Sequence, residues 1–191
     1  MGKQGSFIKR LTDLLFSLTI LIISSPVLII AALAIKIDSK GPIFFIQERT
    51  GFKGKPFKMI KLRGMVFDAL KIGPELTQKD DPRITRVGKL LRRTSVDEIP
   101  QVINVLKGEM SIVGPRPEII SITSNYTNKQ KLIFKYKPGI TGFSQIHGRQ
   151  FLSPEERIAL ELDYYERAGF WSDLLVTIKT ISVIISNKGN L

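Results

Sequence analysis

Leu14-Leu15-Phe16-Ser17-Leu18-Thr19-Ile20-Leu21-Ile22-Ile23-Ser24-Ser25-Pro26-Val27-Leu28-Ile29-Ile30-Ala31-Ala32-Leu33-Ala34-Ile35 is a run of 22 residues without a charge, bounded by Asp13 and Lys36. About 20 apolar residues are enough for a helix to cross a bilayer, so contact with a membrane is the first expectation. A helix buried in a soluble core is rarely apolar on every face over such a length. Pro26 stands near the middle of the run, directly after Ser24 and Ser25. It lacks an N–H and its ring collides with the carbonyl one turn back, so the helix is expected to bend or break there. A carbonyl left free in lipid is costly, and the two serine hydroxyls are placed to help satisfy it. Each half, about a dozen residues, is roughly 18 Å long, which passes the bilayer midplane without crossing the whole.

The flanks bear on the path of this segment. Lys3, Lys9 and Arg10 lie before it; Lys36, Lys40, Arg49, Lys53 and Lys55 lie after it. Three topologies compete: a cleaved signal peptide ending near Ala32-Leu33-Ala34, a single span, and a re-entrant hairpin. The run is long for a signal peptide. A spanning helix normally carries unequal numbers of Lys and Arg at its two ends, whereas both ends here have the cytoplasmic character. The re-entrant hairpin, broken at Ser25 and Pro26, fits best. The chain is thus expected to divide into a membrane helix-break-helix over residues 1–40 and a globular domain over residues 41–191.

Composition narrows the chemistry. The 191 residues include 29 Lys+Arg against 17 Asp+Glu, a net charge of +12, with 43% apolar residues, one His and no Cys. Disulfide frameworks, cysteine-based zinc sites and thiol nucleophiles are excluded, and so is a multi-His metal centre. The apolar content is too high for a disordered basic tail. The charge points to anionic partners: nucleic acid, an acidic membrane or phosphorylated small molecules.

Beyond residue 40 the pattern reads as α+β, mostly helical with a small β-hairpin. Strands are expected at Ile43–Ile46 and Phe57–Leu62 around the turn Gly51-Phe52-Lys53-Gly54-Lys55. Helical periodicity marks Ile84–Arg93, Glu98–Leu106, Asn128–Lys135 and Pro154–Arg167. Loops rich in Gly and Pro cover Lys107–Pro117 and Pro138–Arg149. The last segment places Trp171, Leu174, Leu175, Ile178 and Ile185 on one stripe, suited either to a docked core helix or to a membrane interface.

The most informative polar stretch is Leu91-Arg92-Arg93-Thr94-Ser95-Val96-Asp97-Glu98-Ile99-Pro100-Gln101. Ser95-x-x-Glu98 fits a capping box, but that register puts Pro100 where a backbone hydrogen bond is lost. A helix starting at Asp97 or Glu98 accommodates Pro100 in its first turn. Either register leaves both carboxylates at a helix N-terminus, which keeps them ionised and attracts phosphate. Arg92 and Arg93, just upstream, can clamp phosphoryl oxygens. An ionised Asp beside such arginines suits a nucleophile or a ligand for Mg²⁺, while simple capping is the alternative.

Two more elements add cations. Arg116 is pinned between Pro115 and Pro117, whose fixed φ angles limit its backbone freedom; it suits phosphate binding or a rigid surface turn. In Phe57-Lys58-Met59-Ile60-Lys61-Leu62-Arg63, strand geometry points Lys61 and Arg63 to the same face. No GxxxxGK[ST] loop and no GxGxxG are present. His147 reads as a structural or substrate-contact residue. Basic residues are not interleaved with aromatics as in a base-stacking platform, which argues against nucleic acid.

Together these stretches resemble the bacterial sugar transferase family, small monotopic phosphoglycosyl transferases that initiate glycoconjugate assembly. The resemblance runs from about Phe7 beyond Tyr165. It includes Ser25-Pro26, Phe57-Lys58 with Lys61-Leu62-Arg63-Gly64-Met65, and Asp81-Pro82-Arg83-Ile84-Thr85. Leu91 to Gln101, Asn104 to Ser111, Val113-Gly114-Pro115-Arg116-Pro117-Glu118, Pro138-Gly139-Ile140-Thr141-Gly142, Gly148-Arg149 and Leu162-Asp163-Tyr164-Tyr165 complete it. The resemblance implies transfer of a sugar-1-phosphate from a UDP-sugar to undecaprenyl (polyprenyl) phosphate, at the cytoplasmic face of a bacterial inner membrane. It implies that Asp97 and Glu98 form a catalytic dyad, with Asp97 attacking phosphorus in ping-pong fashion and expelling UMP. It also implies Mg²⁺ as cofactor with Asp97 its nearest protein contact, and Lys61, Arg63, Arg92, Arg116, Arg149 and Asp163 as phosphate or substrate partners. Membrane lipid is implied as a further partner, and nucleic acid is not; the oligomeric state stays open.

Glu109, Phe143-Ser144 and His147 depart from the usual pattern, which carries Asp, Trp-Ala and a small polar residue there. The last two lie in a loop able to contact nucleotide or sugar, so the donor sugar is not fixed by the resemblance. Without further N-terminal spans the chain reads as the minimal catalytic unit. A non-enzymatic, membrane-anchored basic protein that binds anionic lipid or polymer is the alternative.

Overall fold

A computed structural model describes residues 7–78, 80–147 and 153–185. The apolar run lies within one helix, α1 (Phe7–Asp38), 32 residues long and apolar enough to cross a bilayer. The expected division into two helices is not seen, because helical structure continues through Pro26. Local hydrogen bonds explain the continuity. A residue at position 26 would ordinarily donate to the Ile22 carbonyl, and Ser25 Oγ donates to that oxygen instead at 2.8 Å. Ser24 Oγ donates to the Ile20 carbonyl at 2.6 Å. The serines therefore do what their position suggested, and the backbone group that proline leaves unserved is satisfied.

One stripe of α1 faces the rest of the molecule, at alternating spacings of three and four. Arg10 donates to the Val105 and Leu106 carbonyls at 2.6 and 2.9 Å. Buried Asp13 accepts from Ser111 Oγ at 2.9 Å and Ile112 N at 3.1 Å. Ser17 is buried, Ile20 packs on the main core, and Leu28, Ala31 and Ile35 pack with Leu62 and Leu91. Asp38 then accepts from Val87 N at 3.1 Å. Away from this stripe Leu15, Leu18, Ile22, Ile23, Ile29, Ile30 and Leu33 are 50% to 73% exposed. Soluble monomers rarely expose so many large apolar side chains along one helix.

The globular part begins with the expected hairpin: β1 (Phe44–Thr50) pairs antiparallel with β2 (Pro56–Leu62), setting Phe45 opposite Lys61 and Arg49 opposite Phe57. The turn between them needs two successive left-handed residues, Lys53 and Gly54, at φ of 57° and 72°. A short helix, α2 (Ala69–Ile72), follows, and then α3 (Arg86–Thr94), whose first turn is capped by Thr85. α3 lies so close to the chain after β2 that a Cβ at Gly88 would stand 1.9 Å from the Gly64 carbonyl oxygen. The Glu98–Leu106 helix is realised as a 3-10 turn, Val96–Gln101, leading into α4 (Val102–Lys107).

The Gly- and Pro-rich loops hold two strands that periodicity did not mark. β3 (Ser111–Val113) pairs in parallel with β4 (Gly139–Thr141). Between them lie α5 (Ile120–Thr123) and a 3-10 turn at Gln130–Lys135, where a longer helix was expected. α6 (Phe143–Ile146), α7 (Pro154–Arg167) and α8 (Phe170–Ile185) complete the described residues. The main core gathers Met59, Val105, Met110, Val113, Ile158, Tyr165 and Val176. α8 docks through Val176, while the stripe read from the sequence faces outward: Trp171, Leu175 and Ile178 are 77%, 52% and 56% exposed.

Candidate active site

Three chain segments converge on the acidic pair. Ser95 ends α3 in a left-handed conformation, φ 55°, and turns the chain into the 3-10 turn that carries Asp97 and Glu98. The capping box does not form, because Ser95 makes no side-chain cap and the Glu98 carboxylate is engaged elsewhere. Lys61, on β2, donates to Glu98 Oε1 at 2.7 Å. Arg116, between its two prolines, donates to the same oxygen at 3.1 Å. Asn104 fixes α4 beside this strand: fully buried, it donates to the Lys58 carbonyl at 2.8 Å and accepts from Ile60 N at 3.1 Å. The same amide donates to Glu109 at 2.7 Å, so Glu109 serves the scaffold.

The two carboxylates are pushed in opposite directions. Burial raises the Glu98 pKa, but Arg116 and then Lys61 overcome it and hold the group well below the usual carboxylate range. Asp97 is raised by burial and by the Glu98 charge, against a downward pull from Lys61, Arg92 and Arg116. Among the described residues no group donates a hydrogen bond to the carboxylate of Asp97, a buried residue. Opposed pKa displacements in a neighbouring pair mark separate chemical roles. Glu98 is a fixed anion that aligns two cations; Asp97 has its oxygens free for another partner.

The other candidates sort as follows. Arg92 reaches Thr77 Oγ1 at 3.2 Å and lies within electrostatic range of Asp97. Arg63 requires a correction: it does not present its guanidinium to the dyad. β2 ends at Leu62, so strand alternation no longer governs position 63. Arg63 is buried and donates to the Ser39 carbonyl at 2.8 Å and to the Lys40 carbonyl, fastening the chain that leaves α1. Asp163 is also not brought to the dyad; it pairs with Arg167 one turn along the exposed side of α7. Arg149 lies outside the described residues. The His147 ring packs on Phe143 at a tilt of 36°, with centroids 4.2 Å apart, and Phe143 stacks on Tyr164 at 4.3 Å.

Arg49 belongs to this neighbourhood although sequence reasoning used it only as a flanking charge. It shares the inward face of the hairpin with Lys61, binds Gln47 Oε1 at 2.6 Å and reaches the Pro117 carbonyl at 3.3 Å. Burial and then Arg116 lower its pKa, which places two guanidinium groups in one electrostatic neighbourhood. The available signal was the inversion of β1: Phe44 and Ile46 are exposed while Gln47 and Arg49 point inward.

Four cations thus surround two carboxylates, a net positive site suited to a diphosphate. Among the described residues no cluster of three or more His, Asp or Glu forms a metal cage. One carboxylate does fit Mg²⁺, which keeps several waters and commonly binds through one or two carboxylates together with substrate phosphates.

Residues 4–187 match the model of a family described as bacterial sugar transferase. The chain is 42% identical over 190 residues to UDP-glucose:undecaprenyl-phosphate glucose-1-phosphate transferase of Escherichia coli K12, covering 95% of this chain and 41% of that protein. It is 37% identical over 191 residues to UDP-N-acetylgalactosamine-undecaprenyl-phosphate N-acetylgalactosaminephosphotransferase of Aeromonas hydrophila, covering 96% and 45%. Against the uncharacterized sugar transferase EpsL of Bacillus subtilis it is 37% identical over 182 residues, covering 95% and 89%. The chain therefore spans less than half the length of the first two relatives and most of the third.

Proposed function

Because the chain belongs to the bacterial sugar transferase family, a family of transferases, we propose that it moves a sugar-1-phosphate from a UDP-sugar to undecaprenyl phosphate through a covalent aspartyl intermediate. The observation that carries the mechanism is the contrast between the two carboxylates: Glu98 is locked by Lys61 and Arg116, whereas among the described residues none donates a hydrogen bond to Asp97. An Asp97 oxygen attacks the phosphorus that bears the sugar, the bond from that phosphorus to the bridging oxygen breaks, and UMP leaves with the bond electrons. A phosphate oxygen of the lipid then attacks the same phosphorus and restores the Asp97 carboxylate. Arg116, Lys61 and Arg92 stand where charge builds up on the phosphoryl oxygens, which is where fixed cations lower a barrier most. Glu98 stays ionised and keeps two of those cations oriented. Mg²⁺, held through Asp97 and the diphosphate, would neutralise the charge that otherwise repels a carboxylate nucleophile.

The membrane reading rests on how α1 is fastened. Arg10 and Asp13 near one end, and Asp38 and the Arg63-bound carbonyls at the other, bind the same domain. A helix crossing a bilayer from side to side would carry its ends apart. With both ends on one body and the exposed apolar face between them, α1 is re-entrant in the sense that it rests in one leaflet without crossing the bilayer, and both Lys/Arg-rich flanks stay in the cytoplasm. The protein then sits on the cytoplasmic face of the inner membrane. Its relatives are named for glucose and N-acetylgalactosamine, so the donor is to be found by screening.

Purified protein incubated with a panel of UDP-sugars and undecaprenyl phosphate should release UMP with one preferred donor. Without the lipid, UMP should appear once per enzyme and labelled sugar-phosphate should remain on the protein. Asp97→Asn should abolish both while leaving membrane association intact; turnover by that variant would show the nucleophile to be misassigned. The chain has no cysteine, so single cysteines at Phe7 and Lys40 give unambiguous labelling. Both should react from one side of the membrane, and labelling from opposite sides refutes the re-entrant path. The alternative of a non-enzymatic lipid binder is disfavoured by membership in a transferase family.

A further inference from the structure

Between the N-terminal part of α1 and the first half of α8 runs a groove of about 640 Å³. Ile8 and Phe16 form one wall, Trp171, Leu174 and Thr177 the other, and Val113 of β3 lies in its floor. Its charged groups are neutralised within the protein. Lys9 pairs with Asp173 at 2.7 Å and stands 3.9 Å from Asp13, and Arg167 pairs with Asp163. The groove therefore offers an apolar channel rather than a headgroup site, and its size is that of a ligand pocket.

Both ends of the groove have identifiable neighbours. At its outer rim Phe16 and Trp171 continue into the exposed apolar faces of α1 and α8. At its inner end Val113 precedes Arg116 by three residues, a chain length of at most about 11 Å. Thr180, one turn beyond Thr177, hydrogen-bonds Thr141 of β4 at 2.6 Å, and α8 packs on α3, which carries Arg92. The floor of the groove and the helix along its wall thus adjoin the segments that carry Arg116 and Arg92.

We propose that this groove seats the prenyl chain of the acceptor lipid close to its phosphate end. The inference rests on the transfer reading above, since only an acceptor must present its phosphate to Asp97 while its chain returns to the bilayer. An acyl chain of bulk phospholipid has no such need to approach the arginines.

The 191-residue protein in nanodiscs, with its preferred UDP-sugar and long- or short-chain prenyl phosphates, provides the test. Thr177→Trp fills the inner end, and the KM for the long-chain acceptor should rise about tenfold, corresponding to two methylenes' worth of lost burial. The KM for UDP-sugar and UMP release without acceptor should not change. Ile178→Trp, on the lipid-facing side of the same helix, should leave every parameter unaltered. Equal effects of the two substitutions, or none from Thr177→Trp, overturn the proposal. Independently of folding in the variant, a diazirine-bearing prenyl phosphate should label Phe170–Thr177 of the unmodified protein and be displaced by undecaprenyl phosphate. Labelling elsewhere, or equal labelling by a diazirine-acyl phospholipid that the acceptor does not displace, also overturns it. If the unmodified protein releases no UMP, the transfer reading fails instead, and the labelling still decides what occupies the groove.

Discussion

Replacing Lys61 by Met separates a Glu98 held by two cations from one held by Arg116 alone. Lys61 Nζ is 2.7 Å and Arg116 Nη2 3.1 Å from the same carboxylate oxygen. At an effective dielectric constant of about 20, the shorter pair attracts by about 6 kcal/mol. Much of that is offset by lost hydration, because the Lys61 and Glu98 side chains are only 15% and 19% exposed. Removing one partner of a buried pair costs about 3–5 kcal/mol, since the remaining charge is left without compensation. Arg116 still compensates part of it here, so a loss of about 2–3 kcal/mol is expected, or a Tm lower by about 4–12 °C for a chain of this size. The sign of the pH dependence follows from the depressed Glu98 pKa. Its stabilising contribution is complete above the unfolded value, about 4.3, and is lost as pH falls through the lower folded value. Thermal unfolding followed by circular dichroism in detergent should show the full Tm gap near neutral pH and a shrinking gap in acid. An unchanged Tm at neutral pH, or a gap that widens as the pH falls, refutes the two-cation account.

Three other substitutions probe neighbouring parts of the site. Arg92 lowers the Asp97 pKa, so Arg92→Met should move the acid limb of the kcat/KM profile for UDP-sugar to higher pH; an unmoved limb would separate Arg92 from the nucleophile. Ser95→Gly should raise stability by about 0.5–1 kcal/mol in denaturant titrations, because a left-handed residue with a Cβ is strained and the greater freedom of unfolded glycine cancels only part of the relief. Gly88→Ala should cost about 3 kcal/mol or more, visible as a lowered Tm, because its Cβ would meet the Gly64 carbonyl at 1.9 Å and no side chain can yield.

Local chemistry made some of the fold readable in advance. α7 spans Pro154–Arg167 as expected, with Ser153 and Glu156 closing a capping box and Pro154 in the first turn. Ser95-x-x-Glu98 has the same spelling and no such cap, because Ser95 is left-handed and two distant cations claim the Glu98 carboxylate. The difference lies in residues 37 and 18 positions away from Glu98, which no local pattern contains. β3 and β4 escaped for a similar reason. Each has three residues among glycines and prolines, and their parallel pairing joins Ser111 to Gly139 across the intervening loops. The acidic pair, Lys61, Arg92 and Arg116 stood out as a cluster in the making. Which carboxylate is tethered and which is available became visible only once the side chains had partners. Arg63 was misread because alternation was extended one residue past the end of the strand.

The docked stripe of α1 also sets a schedule for biosynthesis. The apolar segment is made before its partners: Asp13 waits for Ser111, 98 residues later, and Lys9 waits for Asp173, 164 residues later. At about 5–20 residues per second, the last of these partners is made roughly 8–33 s after the first. Over that interval the partners of the docked stripe become available only in stages, Leu62 and Leu91 before Val105 and Ser111, and Asp173 last. On the membrane reading proposed above, insertion of α1 into the lipid leaflet precedes completion of the domain, and the bilayer is the surface that holds the helix until its last partner is made.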